Sequence, residues 1–230
     1  MMNKLIKKGF LTICLAGCVS STMAATTLEL KVQGKIIPPS CTPTFASGGG
    51  ILDFGTIKLA NLSLTQDTYL TGKSVPVVIN CQEDARFGLT FTDQRRDSAE
   101  NISTLAPASG AKAVFGLGYG PKQSKIGAYA MAFDIDTVHN KDNAGRWVIT
   151  NTGGATWSVS PSKWGKITSS PTTVYSFSDT SQAGDPQAPT AEKQIRFELL
   201  VEPVINDLTN LKVTDEINLD GSTLISLVYL

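Results

Sequence analysis

The chain has 230 residues, of which 41% are hydrophobic, 17% are charged and 7% are aromatic. A chain of this length fits one large domain or at most two small ones, and its 20 glycines and 11 prolines supply many turns. Its 20 basic and 20 acidic residues balance, which argues against a protein that binds nucleic acid or anionic membranes.

Residues 1–24 have the pattern of an export signal. Lys4, Lys7 and Lys8 form a basic start, and residues 10–17 form an apolar core that is too short to span a membrane. Small residues at positions 22 and 24 predict cleavage after Ala24. Cleavage would remove three basic residues and no acidic one, so the mature chain would be mildly acidic, with a net charge of about −3.

Lipidation is an alternative fate for this segment. Leu15-Ala16-Gly17-Cys18 fits the bacterial lipobox, in which the cysteine is acylated and becomes the first residue of the mature protein. Acylation at Cys18 would make the chain a lipoprotein. Without it, Cys14 and Cys18 are small apolar residues of a discarded signal.

Residues 28–41, LELKVQGKIIPPSC, begin with strict alternation. Leu28, Leu30 and Val32 would lie on one face and the polar residues between them on the other, which predicts a strand with one buried face. The prolines at positions 38 and 39 end regular pairing, and Cys41 follows. A terminal strand of this kind can pair within its own sheet or complete the sheet of a neighbour.

Two cysteines, Cys41 and Cys81, remain after cleavage at Ala24. In an exported chain such a pair predicts one disulfide. By closing the loop between them, this disulfide would stabilise the folded state by about 4 kcal/mol. Two cysteines and the single histidine, His139, cannot complete a tetrahedral zinc site, so we expect no metal.

Apolar alternation and β-branched residues predict a series of further strands. They span residues 51–55, 75–81, 87–92, 126–135, 194–203, 214–219 and 222–230, with shorter candidates at 147–150 and 156–159. Asp220-Gly221 predicts a hairpin turn between the last two of the longer strands.

Three polar segments are predicted to be loops, because they are rich in Ser, Thr, Asn and Pro. They are residues 61–71, 93–110 and 169–190. No stretch of twelve residues carries a convincing apolar stripe with the 3.6-residue period of a helix. The patterns together predict an all-β sandwich of seven to ten strands.

The sequence offers little for catalysis. His139 lies in a hydrophilic, turn-like segment and is expected to be a solvated loop residue, so we do not expect a nucleophile–histidine–acid system. Asp134, Asp136, Asp142 and Asn143 could gather around a calcium ion, but the spacing of an EF-hand is absent. We therefore expect neither enzymatic activity nor a cofactor.

Three tryptophans, Trp147, Trp157 and Trp164, lie among Ser, Thr, Asn and Gly. Exposed aromatic rings with polar neighbours would suit stacking against sugars. Packing over the edge of the sandwich is the interpretation that we favour.

Several motifs resemble those of a known family. Val32-x-Gly34-x-Ile36 followed by Cys41 is similar to the N-terminal extension and first strand of pilus subunits assembled by the bacterial chaperone–usher pathway. The separation of Cys41 and Cys81 is similar to that of their first-to-second-strand disulfide. Other motifs resemble a subfamily of exported proteins of unknown function described as beta-fimbrial subunits. These motifs are Phe115-Gly116-Leu117-Gly118, Lys125-Ile126-Gly127-Ala128, Asn218-Leu219-Asp220-Gly221 and the ending Val228-Tyr229-Leu230.

The resemblance implies an immunoglobulin-like sandwich that lacks its final strand. A periplasmic chaperone would fill the gap first, and the N-terminal extension of a neighbouring subunit, joined at an outer-membrane usher, would replace it. Residues 25–36 would be this donor extension and residues 37–230 the sandwich domain. The donor residues would be Leu28, Leu30, Val32 and Ile36, with Gly34 at a close approach of backbones. The chaperone and groove contacts would be Phe197, Leu199, Ile225, Leu227, Tyr229 and Leu230.

The chain departs from the family pattern in two ways. Only sixteen residues would precede Cys41, which is short for a donor extension, and residues 93–113 and 169–190 resemble extra loops. The resemblance implies a structural subunit of a surface fimbria, exported to the periplasm and then to the cell surface, with a host glycan or other surface receptor as a further partner. The alternative is a self-complete monomeric periplasmic protein.

Overall fold

A computed structural model describes residues 28–37, 39–100, 102, 114–154, 156–159, 164–179 and 188–230. The predicted signal segment 1–24, including Cys18, and parts of the loops predicted at 93–110 and 169–190 lie outside these residues. The chain divides into two units, with the boundary between Ile36 and Ile37. Within the described ranges, no helix has the length and apolar character needed to cross a membrane.

Twelve strands, one single-turn α-helix and four short 3-10 helices (Gly48–Gly50, Leu59–Asn61, Arg96–Ser98 and Pro121–Gln123) occur in the described part of the chain. The strands are β1 (Cys41–Phe45), β2 (Thr68–Tyr69), β3 (Lys73–Ala85), β4 (Phe87–Asp93), β5 (Phe115–Gly116), β6 (Gly127–Asn140), β7 (Trp147–Asn151), β8 (Ser158–Val159), β9 (Trp164–Ile167), β10 (Val174–Ser178), β11 (Glu192–Ile205) and β12 (Thr223–Tyr229). The helix, α1, spans Leu208–Leu211. The all-β prediction is therefore confirmed.

The strands form two antiparallel sheets. The first has the order β1-β3-β11-β6-β5, with β2 also on β11 and β9 also on β6, and the second has the order β12-β4-β10-β7-β8. The strand count exceeds the seven to ten expected, because β2, β5 and β8 are pairings of only two residues each. The order leaves β1 and β12 at sheet edges.

The core between the sheets is dominated by aromatic rings. The Phe133 ring of β6 lies 5.1 Å from that of Phe197 on β11 and 5.8 Å from that of Phe91 on β4, both edge to face. The ring of Tyr175 on β10 lies 5.6 Å from Phe91. All four side chains are buried, and they come from both sheets. Alternation along each strand therefore supplies the interdigitated layer that joins the sheets.

Strand β10 lies inside the segment 169–190, which the sequence predicts to be a loop, so that prediction is wrong. Its serines make the segment look solvated. Ser176 and Ser178 are nevertheless buried, and Ser176 Oγ donates a hydrogen bond of 2.6 Å to the carbonyl of Phe87. A hydroxyl that finds a backbone acceptor can occupy a buried strand without an unsatisfied polar group. The short strand β2 likewise lies within the predicted loop 61–71.

Residues 214–219 are not a strand, which corrects a second prediction. Ile217 and Leu219 are half-buried against the core, but this stretch pairs with no strand of the described chain. Asp220-Gly221 consequently does not turn a hairpin. The Asp220 N–H instead donates to the carbonyl of Leu117 at 2.9 Å, and this contact leads the chain into β12.

His139 also lies elsewhere than expected. It is a half-buried residue of β6 and pairs with Arg196 of β11, whereas the sequence predicts a solvated loop. The polar run that suggests a turn begins at its neighbour Asn140, the last residue of β6, and continues through residues 141–146. The strand thus extends further into polar sequence than alternation indicates.

Candidate functional site: an open seam between β1 and β12

The edge strand β1 of the first sheet and the edge strand β12 of the second sheet lie beside each other. We call the gap between them the seam. In the described chain β12 pairs only with β4, and β1 pairs only with β3. The Ser222 carbonyl accepts from Gln94 N–H, and Leu230 N–H donates to the Arg86 carbonyl. Because paired and unpaired residues alternate in an antiparallel ladder, the backbone groups at positions 223, 225, 227 and 229 face the seam.

A cavity of about 180 Å³ opens in the seam. Its floor comes from β3, β6 and β11, and its sides come from β12 and from the segment that follows β1. Apolar side chains predominate in its lining, together with some polar surface: Phe45, Gly50, Leu52, Phe54, Val75, Leu117, Tyr129, Met131, Leu199, Val201, Pro203, Leu219, Gly221, Thr223 and Ile225. An apolar cleft beside an unpaired strand edge is suited to receiving another extended strand.

Residues 51–58, which we call the wall segment, form one side of the cavity. The sequence predicts a strand at residues 51–55 of this segment, and this prediction is wrong, because the segment pairs with no strand of the described structure. Leu52 and Phe54 line the cavity, and Ile57 packs on the core. Lys73 of β3 holds the segment from outside, since its Nζ donates to the Asp53 carbonyl at 2.5 Å and lies 5.3 Å from the centroid of the Phe54 ring.

The edge of β1 that faces the seam has few free donors. Gln82 N–H donates to the Ser40 carbonyl and Ala46 N–H to the Pro76 carbonyl, so positions 41, 43 and 45 face outward. Position 43 is a proline and has no N–H. The N–H of Cys41 donates to Tyr229 Oη at 2.8 Å, which ties β1 to the last residue of β12.

Polar contacts fix the residues at the opposite end of the seam. Tyr129 Oη and Thr223 Oγ1 lie 2.6 Å apart at the cavity, and burial raises the pKa of Tyr129 to about 12, so that its hydroxyl stays protonated. Arg95 donates two hydrogen bonds to the Asp220 carboxylate, at 2.7 and 3.1 Å. These contacts fix the loop from which β12 emerges.

Asp93, at the end of β4, is a buried carboxyl group close to this loop. It accepts hydrogen bonds of 2.8 Å from the backbone N–H groups of Arg95 and Gly116. Burial raises its pKa, and these two hydrogen bonds offset part of that effect. The carboxylate therefore joins β4, β5 and the start of the segment that carries Arg95.

The predicted disulfide is confirmed. Cys41 and Cys81 are direct partners of β1 and β3 and are joined through their sulfur atoms. Their Cα atoms lie 3.9 Å apart, in a pair without backbone hydrogen bonds between them, where side chains come closest. The disulfide therefore fixes the first residue of β1 to the adjacent strand β3.

Residues 28–37, which we call the N-terminal arm, form no strand in the described structure. Leu28, Leu30 and Val32 are 87–98% exposed, and Ile36 and Ile37 are exposed as well. Gly34 has open space around it. Exposed branched side chains at every second position are costly in water unless they are covered by a partner.

The structure brings together only some of the predicted groove residues. Leu199 and Ile225 line the cavity, and Leu227 is half-buried on the core beside it. Tyr229 and Leu230 are exposed at the end of β12. Phe197 is placed differently from the expectation, because its side chain is only 2% exposed and lies inside the aromatic core.

Sequence reasoning missed much of the cavity. The alternation of Leu52 with Phe54, and of Tyr129 with Met131, carries the signal for inward-facing side chains. It does not show that these residues meet at one edge, because that depends on the strand order. Lys73 and Tyr129 hold the site through contacts that no local pattern contains.

The other residues that the sequence suggests lie away from the seam. Asp134 and Asp136 are in β6. Asn143 lies in the turn that follows β6, and its Oδ1 accepts a hydrogen bond from Arg196 of β11. No cluster of three or more potential metal ligands occurs among the described side chains. Trp147 is exposed and Trp157 is half-buried, while the side chain of Trp164 lies outside the described part of the structure.

The two antiparallel sheets and the disulfide between the first strand and its partner define an immunoglobulin-like β-sandwich. A family model described as "Protein of unknown function (DUF1120)" matches residues 30–130. Protein GltF of Escherichia coli (strain K12) is 27% identical over 252 aligned positions, which cover 97% of this chain and 99% of that protein. Uncharacterized protein YhcF of the same strain is 27% identical over 227 positions, covering 91% of this chain and 93% of that protein.

Proposed function

We propose that the protein is a structural subunit of a bacterial surface fimbria, in which each subunit completes its sandwich with a strand from a neighbour. The observation that carries this proposal is the seam, where the unpaired edge of β12 runs beside an apolar cavity. The occupant that we assign to the seam is the N-terminal arm of a second copy. Strand addition supplies backbone hydrogen bonds along the edge, and alternate side chains fill the cavity.

The arm and the seam match in length and character. β12 has seven residues, and the alternating part of the arm, positions 28–33, has six. Fifteen large apolar side chains of the described chain are exposed, and nine of them belong to these two features. Five are in the arm (Leu28, Leu30, Val32, Ile36 and Ile37) and four border the seam (Phe45, Ile51, Tyr229 and Leu230). Pairing arm with seam would cover both sets at once.

The proposal includes the partners that such assembly needs. A periplasmic chaperone would cover the seam before assembly, and an outer-membrane usher would exchange it for the next arm. Export to the periplasm and then to the cell surface follows from the same scheme. An adhesive role, with a host glycan or another surface receptor as the ligand, would be an addition to it.

The arm is the place to test assembly, because its large apolar side chains are exposed. We expect Leu30→Asp with Val32→Asp to leave the fold intact and to abolish fibres seen by electron microscopy. The matched control is Glu29→Lys with Lys31→Glu, which exchanges the charges of an exposed pair at the alternate positions and should leave fibres unchanged. Fibres of normal length and number from the aspartate variant would refute the proposal.

A self-complete monomeric periplasmic protein is the second candidate. The hydrogen bond between Cys41 and Tyr229 and the one between Tyr129 and Thr223 favour it, because both join the two sheets beside the seam within one chain. Expression in the periplasm with and without a fimbrial chaperone separates the candidates. The fimbrial proposal predicts low yield and aggregation without the chaperone, and the monomer predicts equal yields of monodisperse protein.

Acylation at Cys18 is compatible with a monomer anchored to a membrane and hinders exchange of the arm with a neighbour. Incorporation of radiolabelled palmitate into the mature protein, lost in Cys18→Ala, would identify it.

A further inference from the structure

The side chain of Tyr229, at the end of β12, reaches β1 at the edge of the first sheet. Its hydroxyl accepts the outward-facing N–H of Cys41 at 2.8 Å. The side chain lies on the same side of β12 as those of Ile225 and Leu227, because these positions share a parity along the strand. It therefore crosses the seam at the C-terminal end of β12, whereas the cavity lies towards the other end, where Gly221 and Thr223 line it.

We infer that Tyr229 is a latch, which holds the C-terminal end of the seam closed in the unoccupied protein and opens when a strand from a second copy enters. This inference rests on the proposed function and concerns the regulation of the same site. A strand that pairs with the whole edge of β12 must also bond the outward backbone groups at position 229. It would then lie between β12 and β1, where the Tyr229 side chain now bridges the gap.

The composition of the β1 edge explains why one hydrogen bond matters here. Of the three outward positions of β1, Pro43 has no N–H, so only Cys41 and Phe45 can donate. Tyr229 occupies one of these two donors. Opening the latch releases the Cys41 N–H for a carbonyl of the incoming strand, so the bond broken on the way in is replaced in the occupied seam.

The latch consists of one hydrogen bond, which must break before the strand enters and is replaced afterwards. Its loss should therefore change the rate at which the strand is captured. Removing the hydroxyl should make capture roughly 2- to 10-fold faster. A tyrosine that merely packs at the end of the strand would not give this result, because phenylalanine keeps the ring and its contacts.

The test uses the full mature chain carrying Leu30→Asp and Val32→Asp as the acceptor, so that its own arm does not compete. The probe is a dye-labelled synthetic peptide with the sequence of residues 28–37, and its capture is followed by fluorescence anisotropy. Tyr229→Phe and the matched control Tyr119→Phe are introduced into this acceptor; the two tyrosines are 45% and 44% exposed. Hydrogen exchange of the Cys41 amide is measured on the same proteins.

We expect faster capture and a less protected Cys41 amide in Tyr229→Phe, and no change in Tyr119→Phe. Tyr229→Leu, checked for its melting temperature, should also capture faster. If all acceptors capture the peptide but Tyr229→Phe is no faster than its parent, the latch is refuted and the proposed function stands. If no acceptor captures the peptide, both are refuted.

Discussion

Leu224 and Ile225 are neighbours on β12, yet their side chains lie on opposite faces of the second sheet. Leu224 is 54% exposed, whereas Ile225 is half-buried and lines the cavity. The period of two along a strand thus puts one apolar residue at the proposed docking site and its neighbour outside it. This pair offers a mutational test with a built-in control.

We expect Ile225→Glu to abolish capture of the peptide of residues 28–37 while the chain remains folded, because a charge in the cavity cannot be covered by apolar side chains without a large desolvation cost. Leu224→Glu places the same charge on the outer face and should leave capture within about twofold of the wild type. Anisotropy of the labelled peptide measures both. Equal loss of capture in the two variants would show that the cavity face of β12 is not the docking surface.

Removal of the disulfide should destabilise the sandwich without changing its fold. The crosslink closes a separation of 40 residues, for which the reduction in chain entropy of the unfolded state corresponds to about 4 kcal/mol. Urea denaturation of Cys41→Ala with Cys81→Ala should show this loss in the free energy of unfolding. Reduction of the wild type by dithiothreitol is the control and should give a similar midpoint. A midpoint unchanged in the double variant would contradict the prediction.

Lys73 should control access to the wall segment, residues 51–58. Lys73→Met keeps most of the side-chain stem but removes the hydrogen bond to the Asp53 carbonyl and the cation over the Phe54 ring. An exposed cation–π contact contributes roughly 0.5–1 kcal/mol, so local opening should become about two- to fivefold more frequent. Chymotrypsin should then cleave after Phe54 faster by that factor.

Lys166→Met on β9 is the control for Lys73→Met, since Lys166 is also an exposed strand lysine. Its cleavage rate after Phe54 should equal that of the wild type. Unchanged cleavage in both variants would mean that Leu52 and Ile57 hold the segment without help from Lys73.

The buried carboxyl of Asp93 should give the protein a pH-dependent stability of defined sign. Its folded pKa is raised above the ordinary value of 3.8, chiefly by burial, so the folded state favours the protonated form. The corresponding contribution to stability is complete below pH 3.8 and is lost as the pH rises through the folded pKa. The free energy of unfolding, measured by urea from about pH 3 to about pH 7, reports it.

Asp93→Asn removes the titration, so the stability of the wild type minus that of the variant should fall as the pH rises above 3.8. The difference should level off once the pH exceeds the folded pKa. A difference that grows with rising pH would show that the hydrogen bonds from Arg95 and Gly116 outweigh burial.

Much of the fold could be predicted from alternation alone. The strands around residues 75–81, 87–92 and 195–201 follow the predicted faces, because each contributes every second residue to a dry core. Strand β10 could not be predicted in this way, because its serines make the segment look like a loop. In the structure they are buried, and Ser176 donates to a backbone carbonyl. Residues 214–219 alternate but find no strand to pair with, and alternation by itself does not supply a partner.

The candidate site was predictable only in its separate parts. The alternation of Leu28, Leu30 and Val32 and the pairing of Cys41 with Cys81 are local or nearly local signals. The seam depends on β1 and β12 ending up beside each other, and they lie at opposite ends of the described sandwich sequence. Strand order, which no short window contains, therefore decides where the cavity is.

The disulfide at Cys41 determines how the sandwich would respond to tension. A pull on the residues that precede β1 reaches Cys41 first and passes through a covalent bond into β3, which is flanked by strands on both sides. Without that bond, the same force would peel the five-residue edge strand β1 away one hydrogen bond at a time. The crosslink moves the load past the weakest strand, so a chain of such subunits would extend by disrupting the sheet interior and not by unravelling from its ends.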